Sequence, residues 1–186
     1  MAATLEKKLT LAEYLELEKN AEVRHEFVDG QMLAMAGEKR RHNRIAGRIY
    51  ALLLETANTQ NCEIAFETVK ILTRGSRTRY PDIAISCAPG TDDYFLDNPC
   101  FIAEILSNST EKDDMTFKLD EYKNLPSLQR YALISQDRRF VVLYKRVSDH
   151  WEVETLEQNG EIDIPCLKTT LTLEQIYAGL NLEVET

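Results

Sequence analysis

Apolar positions change their period several times along the chain, and each change marks an element. "TLAEYLELEKN" (10–20) opens with Thr10 and Glu13 in a capping-box arrangement, which predicts a short N-terminal helix. In "RHEFVDGQMLAM" (24–35), Asp29 and Gly30 separate two extended runs; both residue types tolerate positive φ, so a hairpin is expected. From about Glu38 to Ala57 the residues Ile45, Ile49, Leu52 and Leu53 recur at helical spacing and define a long helix. "CEIAFETVKIL", "YPDIAISC" and "CFIAEIL" follow as three strand-like segments, the first two joined by the basic turn "TRGSRTR". A second helix is expected from about Glu111 to Asn124, capped by Ser109 or Thr110, stopped by Pro126, with Met115, Leu119 and Tyr122 facing inward. "RYALIS", "RFVVLYKR" and "HWEVETLE" complete the strands, with Asp137 and Arg138 in a tight turn. Thr172 and Gln175 repeat the capping box ahead of a short terminal helix. This order describes an α/β or α+β domain with a mixed central sheet flanked by helices.

Composition narrows the class. With 186 residues, 44% of them hydrophobic and 28% charged, the chain suits one globular domain: an N-terminal helix (1–20), a core of about 21–146, and C-terminal strands with a short helix (147–186). "MAATLEKKLT" lacks the apolar centre of a signal peptide and no stretch is long and apolar enough to span a bilayer, so a cytoplasmic location and no membrane partner are expected. The four cysteines form no C-x-x-C pair and two fall in apparent strands, which favours reduced core thiols over structural zinc. A net charge of −9 argues against coating nucleic acid by bulk electrostatics. Nine of the 22 basic residues nevertheless fall in 38–48 and 70–79. Arg40, Arg41 and Arg44, with Arg74, Arg77 and Arg79, are therefore candidates for contacts to a phosphate backbone; the alternative is a solvated helix face and a hairpin tip.

The chemistry starts from "CFIAEILS" (100–107), where Glu104 lies among apolar residues in a run that reads as a strand covered on both faces. A carboxylate buried there requires compensation by a metal ion or a basic side chain. Asp82, just after Pro81, enters a neighbouring strand-like run; if the two strands pair, their chains lie about 4.8 Å apart. Two carboxylates at that range make a hard oxygen seat for Mg²⁺ or Mn²⁺. His42 stands one turn ahead of Ile45 on the inward stripe of the long helix, where it either reaches this site or is a core histidine with a satisfied hydrogen bond.

The ordered set "HEFVDGQMLAM", "HNRIAGRIYALL", "YPD", "FIAEILSNST" and "DMTFKLDEY" resembles a large bacterial family of uncharacterised endonuclease-like proteins within the PD-(D/E)XK, or restriction-endonuclease-like, superfamily. The resemblance runs from about residue 10 to 146. It implies a helix, a meander of three strands, a helix and a further strand, with Asp82 and Glu104 holding the divalent metal. The superfamily's lysine usually stands two residues after that Glu; here Leu106 occupies the position, and the family pattern places the lysine on the following helix, at Lys118. The competing reading is a surface ion pair between Asp114 and Lys118, four residues apart on one helix face. Glu26 resembles the extra acid that many superfamily members place near the metal, or else is a sheet-face charge balanced by Arg24 or Lys70.

The resemblance thus leads to the expectation of a Mg²⁺- or Mn²⁺-dependent endonuclease acting on DNA, with Asp82, Glu104 and Lys118 as catalytic residues and a homodimer as the assembly. Its rival is a nuclease fold retained as a non-catalytic binding or assembly module.

Overall fold

The computed structural model describes residues 8–107 and 114–182; the side chains of Asp114 and Met115 lie outside that description. Helix α1 (Leu11–Glu18) starts at the expected capping box of Thr10 and Glu13. Strands β1 (His25–Val28) and β2 (Gln31–Ala34) form the expected hairpin, with Asp29 and Gly30 at φ of 52° and 90°, as a tight two-residue turn of this kind requires. Helix α2 (Arg40–Thr59) is the long helix, and buries Ile45, Ile49 and Leu53. Strands β3 (Glu63–Phe66), β4 (Ile71–Leu72), β5 (Thr78–Arg79), β6 (Ile83–Ser86) and β7 (Phe101–Leu106) follow.

The segment expected as one strand from Cys62 to Leu72 is two. Glu67 takes a left-handed backbone, φ 52°, which cannot continue a pleated strand. The chain therefore leaves the main sheet after Phe66, and β4 pairs with β5 in a second sheet of order β2-β1-β5-β4. The basic turn, expected to join two strands of the main sheet, lies between β4 and β5 instead.

Beyond β7, a π-helical turn (Asp114–Lys118) leads into α3 (Leu119–Lys123). The start of that helix expected at Glu111, its caps Ser109 or Thr110, and the inward side chain of Met115 lie outside the described residues. Strands β8 (Arg130–Ser135), β9 (Phe140–Val147) and β10 (His150–Glu157) complete a six-stranded sheet of order β10-β9-β8-β7-β6-β3, parallel only between β7 and β8. A short hairpin of β11 (Glu161–Ile164) and β12 (Thr169–Thr172) and the capped helix α4 (Leu173–Tyr177) end the chain.

Strand alternation explains the two cores. Phe101, Ala103 and Ile105 of β7 pack with Ile45, Ile49 and Leu53 of α2 on one face. Ile102 and Leu106 pack with Tyr122, Leu128 and Tyr131 on the other. Each fully buried aliphatic or aromatic side chain contributes about 1.5–3 kcal/mol, so covering both faces fixes the register of β7. Glu104 shares its face with Ile102 and Leu106 and therefore points at α3.

The cysteines correct one expectation. Cys62 is joined to Cys87 and Cys100 to Cys166, so the described chain holds no free thiol. Cys62, Cys87 and Cys100 sit just outside the ends of β3, β6 and β7, where neighbouring strands bring them side by side: the pairing of Glu63 with Ser86 sets Cys62 next to Cys87. Among the described residues no helix is long and apolar enough to cross a membrane.

Candidate active site

Pairing of β6 with β7 places Ile83 opposite Ala103, so Asp82 and Glu104 meet at the end of the two strands. The backbone N–H of Asp82 donates to Glu104 Oε2 at 3.3 Å, and the N–H of Ile105 donates to Asp82 Oδ2 at 2.7 Å. Pro81, which lacks an amide donor, stands just before the strand.

Lys118 and Glu104 meet although they come from different elements. The π turn aims the Lys118 amine at Glu104 Oε1, 3.3 Å away, and at Glu26 Oε1, 3.6 Å away. Lys118 is buried, and the proposed surface pair with Asp114 involves a side chain outside the described residues. Tyr122 also donates its hydroxyl to Glu104 Oε1, at 2.9 Å. Burial and the Glu104 charge push the Tyr122 hydroxyl far above the usual phenol range, so it remains a donor. Glu104 is thus compensated by a lysine, a phenol and a backbone amide together.

Glu26 belongs to the same network with partners other than Arg24 and Lys70. Arg79 Nη1 donates to Glu26 Oε2 at 2.6 Å. The same guanidinium grips Glu121, Nε to Oε2 at 2.9 Å and Nη2 to Oε1 at 2.7 Å. Thr73 and Arg77 complete the shell around Glu121, at 2.9 and 2.8 Å. Burial alone would raise the Glu121 carboxyl, but these donors outweigh it and hold it below its ordinary value. A line of charges therefore runs from Glu121 through Arg79, Glu26 and Lys118 to Glu104.

Asp82 adjoins the Glu104 end of that line. Glu26, Asp82, Glu104 and Glu121 face Arg77, Arg79 and Lys118. His42 Nε2 lies 3.1 Å from Asp82 Oδ2. Burial lowers the affinity of the imidazole for a proton, but the hydrogen bond and charge of Asp82 reverse this and raise its pKa above the ordinary value. The ring is buried and reaches Asp82 through Nε2, so one of its two nitrogens is satisfied. Its Nδ1 is buried without a hydrogen-bond partner.

Asp82, His42, Arg40 and Arg44 open onto a cleft of about 710 Å³, also lined by Arg24, Glu38 and Glu67. Glu67 is a residue that the sequence pattern concealed. It follows the last β3 residue paired with β6, and its N–H donates to Asp82 O at 3.1 Å, which sets it beside the acid. Burial first, then the charge of Asp82, raise the Glu67 carboxyl. Nothing in the sequence near Glu67 marks the end of the strand, so the local pattern gave no signal for it.

The basic candidates divide. Arg40 is exposed at the cleft, and Arg44 lines it while donating to Gly179 O at 3.1 Å. Arg41 turns aside to Asp137, at 2.9 Å. Arg74 is exposed in the β4–β5 turn, and Arg77 is committed to Asp29 and Glu121. Arg79 requires correction as a phosphate contact: it is only 2% exposed and spends its donors on Glu26 and Glu121.

Carboxylate oxygens are the donors a hard divalent cation prefers, and among the described residues no three acids or histidines converge into a closed ion site, so an ion here would rest on one or two carboxylates and complete its shell with water or substrate oxygens. Asp82 lines the cleft with Glu67 and retains an oxygen, Oδ1, that takes no hydrogen bond among the described residues; Glu104 is buried behind the cleft lining and meets Asp82 through the backbone N–H of Asp82. An acid-lined opening with an uncommitted carboxylate oxygen has the chemistry that Mg²⁺ and Mn²⁺ select.

A mixed sheet flanked by helices, with acids meeting across β6 and β7, has the restriction-endonuclease-like fold. The chain belongs to the family described as "Uma2: Putative restriction endonuclease", whose profile matches residues 11–180. It is 30% identical over 177 residues to the uncharacterized protein slr1290 of Synechocystis sp., covering 93% of each chain. It is 32% identical over 175 residues to the uncharacterized protein sll1609 of the same organism, covering 90% of this chain and 99% of the relative. The crystal structure of "a putative nuclease belonging to DUF820" from Anabaena variabilis matches with a TM-score of 0.73 at 21% identity, over 91% of this chain and 98% of that one. That likeness shows the shared fold.

Proposed function

We propose that this protein is a metal-dependent endonuclease that hydrolyses phosphodiester bonds in DNA. The observation that carries the reading is the convergence of Asp82, Glu104 and Lys118 beside a cleft lined by both acids and arginines, in a chain whose family is described as "Putative restriction endonuclease".

Asp82 and Glu104 are the residues that would hold Mg²⁺ or Mn²⁺, with Glu67 within reach of the same opening. When bound, such an ion polarises the scissile phosphate and lowers the pKa of a coordinated water. Lys118 supplies a fixed positive charge next to Glu104 that orients the attacking water or offsets charge developing on the phosphate. Glu26 and Arg79 are positioning residues: Arg79 locks one oxygen of Glu26, and the other faces the Lys118 amine. Arg40 and Arg44 hold the phosphate backbone at the cleft without reading bases. A homodimer that presents two such clefts is part of the same proposal.

The test is Mn²⁺ titration calorimetry on the wild type and on Asp82→Ala and Glu104→Gln, with folding verified by circular dichroism, followed by cleavage of supercoiled plasmid in Mg²⁺ or Mn²⁺. Metal binding and cleavage in the wild type, both abolished in the folded variants, support the reading. One observation favours a second reading: Glu104 is already compensated by Lys118 and Tyr122. A wild type that binds no Mn²⁺ with or without an oligonucleotide, and cuts nothing, would identify a self-neutralised core in a non-catalytic module.

A further inference from the structure

The four cysteines are unused by the chemistry above. Asp82 and Cys87 flank opposite ends of β6, so the sulfurs stand roughly 16 Å of strand away from the acids. Cys87, Cys100 and Cys166 have their Sγ atoms within 4.8 Å of one another, and Cys62 Sγ is bonded to Cys87. Four sulfurs from three connections therefore gather at one end of the sheet. The segments precede β3, follow β6, precede β7 and follow β11, so the strand ends themselves gather the group. Cys87 and Cys100 bound the one β6–β7 connection, but each is bonded to a cysteine from elsewhere in the chain, so spacing along the sequence does not disclose the group.

A stapling role needs only two sulfurs at each bridge, and does not require the bridges to adjoin. Adjoining bridges have a consequence once reduced: four thiols share one small volume. Zinc takes four thiolates tetrahedrally with Zn–S of about 2.3 Å, which separates the sulfurs by about 3.8 Å. The bonded pairs would open, the unbonded sulfurs among Cys87, Cys100 and Cys166 would close slightly, and Cys62, which stands outside that group of three, would have to swing further toward Cys100 and Cys166. Cys62 and Cys100 are buried, Cys166 is half-buried and Cys87 is exposed, so the group has a dry side and an entry path. Cys62, Cys87 and Cys100 each have a backbone carbonyl within 3.8 Å of Sγ, so their reduced thiols have acceptors ready and reduction strands no donor among them.

We propose that Cys62, Cys87, Cys100 and Cys166 form a second, thiol-based site, which closes as two disulfides when oxidised and binds one Zn²⁺ through four thiolates when reduced. Opening both disulfides adds four electrons and four protons, taken from two molecules of a dithiol reductant that are each oxidised to a disulfide. Zn²⁺ then displaces the four thiol protons. The reverse change, by a disulfide oxidant, releases Zn²⁺ and restores the two bridges. In both states Cys166 ties the C-terminal hairpin to the main sheet, so the site keeps one architecture under two redox conditions. The proposal is independent of the nuclease reading.

The experiment uses the full chain carrying Asp82→Ala, so that the acid cleft contributes no metal. The chain is reduced and freed of reductant under anaerobic conditions, then titrated with Co²⁺ and afterwards with Zn²⁺. One Co²⁺ per chain is expected, with sulfur-to-metal charge-transfer absorption and tetrahedral visible bands, bleached by one equivalent of Zn²⁺. Equimolar Zn²⁺ is expected to slow alkylation of all four thiols at least about tenfold by mass spectrometry. Cys166→Ser and Cys87→Ser should each lose the stoichiometric charge-transfer band. A folded, reduced chain with four countable thiols and no such absorption would overturn the proposal, as would bands that persist in Cys166→Ser. Where a serine variant fails to fold, the alkylation count on the unsubstituted cysteines decides: fewer than four protected thiols overturns it.

Discussion

Replacing Arg79 with leucine separates a structural guanidinium from a phosphate-binding one. Arg79 donates at least three hydrogen bonds to two buried carboxylates, at 2.6, 2.7 and 2.9 Å, and is 2% exposed. Hydrogen bonds to charged groups are worth about 1.5–3 kcal/mol each, so a simple sum would approach the whole stability of a domain. The sum overstates the loss, because Glu121 keeps Thr73 and Arg77, and Glu26 keeps Lys118 and the N–H of Tyr80. The expected cost is that of stripping one partner from a buried pair, about 3–5 kcal/mol at neutral pH. Urea unfolding followed by circular dichroism measures it, and the deficit should persist in high salt because the network is shielded from the solvent. Adding Glu121→Gln to Arg79→Leu should recover part of the loss by removing an unpaired buried charge. An Arg79→Leu protein that loses less than about 1 kcal/mol, yet binds DNA more weakly, would refute the assignment, since surface contacts carry little folding energy.

Three further outcomes follow from the same geometry. Lys118→Met is expected to retain Mn²⁺ binding in calorimetry while plasmid cleavage falls by about two orders of magnitude or more, the scale of one lost charge-stabilising group; unimpaired cleavage would remove Lys118 from the mechanism. Arg40→Ala with Arg44→Ala should weaken DNA binding and reduce the slope of log K against log salt by about 1–2, whereas Arg41→Ala, turned toward Asp137, should leave the slope unchanged in the same fluorescence-anisotropy titration. The His42 pKa is raised in the fold, so its contribution to stability is complete below the ordinary value of 6.5 and disappears as pH rises through the folded value. Asp82→Asn should bring the His42 midpoint down in an NMR titration of the imidazole, and an unmoved midpoint would contradict the pairing.

Much of this site was legible in the sequence, because it depends on local rules. The proline before Asp82 and the lone acid in "FIAEIL" located the two strands, and strand period alone put Glu104 on the face opposite Ala103. Asp29-Gly30 and both capping boxes are likewise short-range signals whose geometry is set within four residues. What stayed hidden depends on contacts between distant segments. Arg79 looked like one more charge in a basic turn, and only the folding of β5 between β1 and β4 turns it inward toward Glu26 and Glu121. Glu67 concealed itself as a polar residue in mid-strand, since nothing nearby announces its left-handed backbone. The cysteines were misjudged because strand ends, not loop spacing, bring them together.

The π turn that carries Lys118 has a consequence for how activity could be controlled. In the Glu-x-Lys arrangement the acid and the lysine ride on one strand, so neither can be withdrawn without breaking the sheet. Here Glu104 is anchored in β7, while the amine comes from a separate helical segment that packs against it. A partner or a modification that drew this segment away would remove the amine and leave the two carboxylates and the sheet beneath them standing. On the proposed nuclease reading, such a rearrangement would switch cleavage off while leaving the two acids in place, at a cost well below that of unfolding the domain.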